Sequence, residues 1–169
     1  MSNLILKILK SVVIFILFFM ISCSEKKIPK VSDETNLIVQ KIEKINVVMG
    51  SAVGYAGIKP EQYENFEELK KIASKEELLL LTDHSNAVVR CYSFWALGNY
   101  KNFDLFSLVK NHINDTAFVK TEFGCMLFTE KVSDFYINLV NPKHKDSEIR
   151  QLNEEEFSKL ESILIKNKK

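Results

Sequence analysis

Residues that turn a chain tightly are scarce in this sequence. It has five glycines and three prolines in 169 residues. A many-stranded sandwich needs a turn every eight to twelve residues, so this scarcity disfavours it and favours long helices. The length suits one domain of ordinary size. Hydrophobic residues make up 46% and charged residues 27%, close to the globular average, which disfavours both wholesale disorder and a polytopic membrane protein. Lysine plus arginine (23) nearly balance aspartate plus glutamate (22). The resulting net charge of +1 offers no basic field for a phosphate backbone, and no nucleic-acid partner is expected.

The first 22 residues differ from the rest. They hold Lys7 and Lys10, no acid, and an unbroken apolar run from Val12 to Ile21, followed by Ser22 and Cys23. A positive start, a short apolar run and a small residue before a cut describe a signal peptide. The run of ten is too short to span a bilayer unaided, since a transmembrane helix needs about 20 apolar residues. The rival reading is an uncleaved anchor over Leu4 to Ile21, with both lysines snorkelling outward.

The end of this segment, Met20-Ile21-Ser22-Cys23, resembles a bacterial lipobox, with Met20 where leucine is more usual. The resemblance implies cleavage between Ser22 and Cys23, a diacylglyceryl thioether on Cys23 and acylation of the new amine. Two or three chains make a durable anchor, whereas one holds only marginally. The implied location is the bacterial cell envelope, lipid-anchored, facing the periplasm or the cell surface. Cleavage would remove two positive charges and leave 147 residues with a formal charge of −1. Residues 24–36 follow without hydrophobic periodicity and with Pro29, and read as a polar, solvated tether. The folded domain is expected over 37–169.

Helical spacing starts at Leu37. Leu37, Ile38, Ile42, Ile45 and Val48 or Met49 share one face, and Gly50 closes the segment. Gly54 and Gly57 mark a looser stretch ending at Pro60. A second helix is predicted from Glu61 to Ala73, with Tyr63, Phe66, Leu69 and Ile72 at intervals of three. Val132, Phe135, Tyr136, Leu139 and Val140 form another apolar face, which Pro142 stops. Asn153 is predicted to cap a last helix that has acids in its first turn and lysines at its end.

The middle of the chain carries a weak internal repeat. Residues 78–97 align without gaps over residues 108–127, so Ala87-Val88-Val89-Arg90 lies over Ala117-Phe118-Val119-Lys120. Each copy reads as a helix end, a polar turn with cap-forming residues, and an apolar-rich helix. Units of this kind bury their apolar faces only by stacking on neighbours. Val89-Arg90 and Ala96-Leu97-Gly98 resemble the second helix of short HEAT-like repeats, while the second copy departs at Lys120 and Phe128. The expected fold class is all-α, a short HEAT-like helical-hairpin solenoid, with an irregular helical bundle as the alternative.

The sequence shows no catalytic constellation. His84, His112 and His144 occur singly, without the spacing of a metal site, and the first two fall in predicted turns facing solvent. Cys91 and Cys125 lie in predicted apolar helices and read as buried thiols, too far apart across stacked helices for a disulfide. Around Gly50, Gly54 and Gly57 the sequence predicts neither the preceding strand nor the following helix start of a nucleotide loop, so none is expected. Hence no catalytic residue, no metal and no cofactor beyond the lipid on Cys23 is expected. The expected role is a noncatalytic protein-interaction or scaffold module holding an envelope protein. Arg90 and Lys120, at matching helix starts, are the candidate surface or a polar contact between repeats. The alternative is a small-ligand or enzyme-accessory protein with an aromatic pocket around Tyr92, Phe94, Trp95 and Tyr100, because some short-repeat relatives are chromophore lyases. Helical spacing favours those aromatics as core.

Overall fold

The computed structural model describes residues 30–144 and 149–167. Ser22, Cys23 and residues 24–29 of the tether lie outside the described residues. Seven helices and three strands occur among those described. The first helix, α1 (Asp33–Ile45), begins inside the stretch expected to be tether, because Ser32 caps it: the Ser32 hydroxyl accepts a hydrogen bond from the Thr35 N–H at 3.3 Å. It also ends four residues earlier than the apolar spacing predicts. Asn46 takes the left-handed conformation (φ 57°), its N–H closes on the Ile42 carbonyl, and Val48 passes into a strand.

After β1 (Val48–Val53) come α2 (Glu61–Ile72), α3 (Lys75–Leu81), α4 (Ala87–Leu97) and α5 (Leu105–Asn111). Ser74 and Glu77 form a reciprocal capping box at the start of α3, and the Asn86 side chain accepts from the Val88 and Val89 amides at the start of α4. Every residue of α4 from Val88 to Leu97 is buried. It is the central helix, packed against α1, α2, α3 and both β1 and β2.

The all-α expectation is overturned beyond this point. Residues predicted as the second helix of the second repeat form a β-hairpin, β2 (Phe118–Gly124) and β3 (Met126–Lys131). β2 pairs in parallel with β1, Val48 opposite Thr121, and antiparallel with β3, Thr121 opposite Phe128. The sheet order is β1-β2-β3. Alternation explains the outcome: Val119 and Thr121 are buried while Phe118 and Lys120 are exposed, a period of two that a helix cannot place on one side. Gly124 (φ 58°) supplies the left-handed residue at the first position of the two-residue connection between Phe123 and Met126. With this helix absent the HEAT-like stack is absent too. α6 (Val132–Val140) follows β3 directly, and α7 (Glu154–Asn167) begins at a capping box of Asn153 and Glu156.

The aromatics around α4 fill the core. Phe66 stacks on Tyr92 with ring centroids 4.7 Å apart, Phe94 stacks on Tyr136 at 3.8 Å, and Trp95 contacts Phe66, Phe123 and Phe135. The Tyr92 hydroxyl accepts from the Met49 N–H at 2.7 Å and donates to the Met49 carbonyl at 3.1 Å, so it stands in for a missing strand neighbour of β1. The Tyr136 hydroxyl donates to the Arg90 carbonyl. Burial pushes both tyrosine hydroxyls above their ordinary range.

Candidate functional site

One face of the β2–β3 hairpin and the side of α6 enclose a groove of about 1000 Å³. Its apolar wall comes from Phe123, Met126 and Phe128 on the hairpin and from Phe135 and Leu139 on α6. Cross-strand pairing sets the hairpin side: Phe123 lies opposite Met126 and Thr121 opposite Phe128, and direct partners project to the same face. Gly50 on β1 admits the Phe123 ring, since a Cβ there would sit 2.7 Å from the ring edge. Trp95 backs the groove through its contacts with Phe123 and Phe135.

Polar groups gather at the other side of the groove. The Glu130 carboxylate accepts from the Thr121 hydroxyl at 3.1 Å and from the Asn138 amide at 3.2 Å. The His144 Nδ1 lies 3.0 Å from the Asn138 carbonyl, and Lys143 completes the rim. β3 is an edge strand, hydrogen-bonded to β2 on one side only, and Met126, Leu127 and Phe128 on it are exposed. The groove therefore runs beside a strand whose outer backbone groups have no sheet partner among the described residues.

The residues singled out from sequence lie elsewhere. Arg90 is buried and all three of its guanidinium nitrogens donate: Nε and Nη2 to the Asp115 carboxylate at 2.8 and 3.1 Å, and Nη1 to the carbonyls of His84 and Ser85. It ties the turn before α4 to the loop before β2. Lys120 is exposed on β2, beside a hollow shared with Asn46, Ser85 and Thr129, and does not start a helix. The two residues thus occupy different kinds of element and do not form a ladder of helix starts. Cys91 is buried, and burial raises its thiol well above the ordinary value, whereas Cys125 is exposed at the hairpin turn rather than inside a helix. Tyr92, Phe94 and Trp95 are buried in the core, with Tyr100 partly buried at its margin. The concave surface lies next to this cluster, not within it.

His112 is more enclosed than a solvent-facing turn would make it, its side chain 13% exposed, with its ring against Tyr136 and Asp83 at 3.8 Å. His84 caps locally, its Nδ1 accepting from the Asn86 N–H. Among the described residues no group of three or more His, Cys, Asp or Glu could hold a metal ion, and no helix is long and apolar enough to cross a membrane. No family model matches the chain, and neither a curated protein nor a solved structure matches it at a significant level.

Proposed function

We propose that this chain is a lipid-anchored, noncatalytic binding module of the cell envelope. Its groove between the β2–β3 hairpin and α6 takes an extended apolar segment of another envelope protein. The observation that carries this reading is the adjacency of an apolar groove and an open strand edge. An extended segment pairs its backbone with the outer edge of β3 and lays alternate side chains against Phe128 and Leu139, the mode in which backbone bonds give affinity and pockets give specificity. The titratable groups of the groove support binding over catalysis. Glu130 is engaged by Thr121 and Asn138, and His144 faces a carbonyl, so neither is poised against a nucleophile.

The test places a photo-crosslinking residue at Leu139 in the full-length chain in cells. A crosslink to one envelope protein that disappears with Phe128→Asp, while Lys110→Asp leaves it intact, is the expected result. A second reading, a small amphipathic ligand, draws on the gathering of Glu130, Asn138 and His144 beside apolar walls. Native mass spectrometry of the purified chain separates the two: a bound small molecule lost in Phe128→Asp, with no protein crosslink, would favour the ligand.

A further inference from the structure

Two segments without any acidic or basic residue meet at one end of the sheet: residues 45–58 and residues 123–129. Their junction is a backbone hydrogen bond of 2.8 Å from the Gly54 N–H to the Gly124 carbonyl. Beyond it project two turns. One is Gly54 to Gly57, closed by the paired Val53 and Ile58, and the other is the Gly124-Cys125 connection of the hairpin. Their large side chains face outward: Tyr55 is 102% exposed, Ile58 65%, Leu127 65% and Met126 58%. Leu127 and Met126 are neighbours on a strand and therefore point to opposite faces. An end that is apolar on both faces does not suit a partner covering one face, but it does suit insertion into an apolar medium.

We infer that this end of the sheet docks into the surface of the bilayer that holds the protein, with Leu127, Met126 and Ile58 among the acyl chains and Tyr55 at headgroup level. The inference rests on the anchoring reading of Cys23. Asp33 lies ten positions after Cys23, and even fully extended that span reaches no farther than about 35 Å. That distance is comparable with the diameter of about 35 to 40 Å expected for a domain of this size. An anchor so short keeps the domain at the membrane surface, where docking is an intramolecular event and a small apolar contact is enough. A tyrosine at the rim matches the preference of amphipathic rings for the interface. Because the tip has no charge, its docking is expected to be indifferent to anionic lipid and to salt, unlike that of a basic patch.

Cys125 lies in the hairpin turn and is exposed, while Cys91 is buried, so a thiol-reactive, polarity-sensitive fluorophore reads the tip directly. The full-length lipidated chain is labelled and reconstituted into phosphatidylcholine vesicles, with and without phosphatidylglycerol. The expected result is a blue-shifted emission quenched by lipids brominated on their acyl chains, equal in both vesicle types. It should revert to aqueous emission in Leu127→Asp/Ile58→Asp, whose helical circular dichroism is unchanged. The same fluorophore on Ser85→Cys in a Cys125→Ser background, beside Val47 at the other end of β1, should stay aqueous. Aqueous emission from Cys125 on an acylated chain overturns the docking and leaves the anchor standing. A second fluorophore, found on Cys23 by mass spectrometry, overturns the anchor itself and the docking that rests on it.

Discussion

Glu77 shows how much one side chain can hold in place. Its carboxylate accepts from the Ser74 N–H in the capping box of α3 and, at 2.7 Å, from the Ser32 N–H at the start of α1. Partial burial pushes its pKa up, but the hydrogen bonds from Ser32 and Ser74 outweigh this and bring it from an ordinary 4.5 to about 2. A pKa depressed on folding contributes stability that is fully present above pH 4.5 and is lost as pH falls through 2. The melting temperature of the wild type should therefore fall more between pH 5 and pH 2 than that of Glu77→Gln, with the two curves converging at the acid end. Arg90 answers to a different cost. Arg90→Ala takes two hydrogen bonds from the Asp115 carboxylate and the donor from two carbonyls, and should destabilise the domain by about 3 kcal/mol or more, measured by urea unfolding. Trp95→Ala removes the ring that joins α2, α4, α6 and β2, and should cost about 3 to 5 kcal/mol in the same experiment. Its role as core was legible from the helical spacing of Val88, Tyr92 and Trp95.

Helices with strong local signals were legible and the sheet was not. Asn153 reads as a cap, and the polar turn before Ala87 as a source of one, because short polar side chains stand just before an apolar-periodic run; the α7 start agrees, and at α4 the capping residue is Asn86. The stretch from Ala117 to Leu127 aligned with α4 through apolar coincidences, although its own period of two and its glycine before Cys125 spelled a hairpin. The scarcity of glycine misled for a related reason. Three of the five glycines have positive φ, at Gly54, Gly57 and Gly124, and all three serve the sheet. A few well-placed glycines make a small sheet without the regular turns of a sandwich. The groove was hidden more deeply, since Phe123 and Phe128 share a face only through a cross-strand register that no single segment records. Gly124→Val forces a branched side chain into the left-handed region and should cost about 1 to 2 kcal/mol in thermal unfolding, more than the same change at an exposed helical site.

At the scale of the molecule, the expected anchor and the folded domain make separate demands. Mass spectrometry of the protein extracted from membranes should find a chain beginning at Cys23 and carrying acyl groups, and Cys23→Ala should appear in the soluble fraction with its domain still folded. An intact, unmodified chain from Met1 would exclude that processing. The domain itself closes on a distant contact. The parallel pairing of Val48 with Thr121 joins points about seventy positions apart in sequence, whereas the hairpin and every capped helix form from near neighbours. Between those points lie α2, α3, α4 and α5, so β1 gains its place only once α4 presents Tyr92 to Met49. Pulse-labelled hydrogen exchange during refolding should therefore protect the α4 amides first and the β1 amides last. For as long as β1 lags, the inner edge of β2 is open to the corresponding strand of another molecule. A chain emerging in numbers on one side of a membrane would then face exchange of β1 between neighbours as its characteristic misassembly.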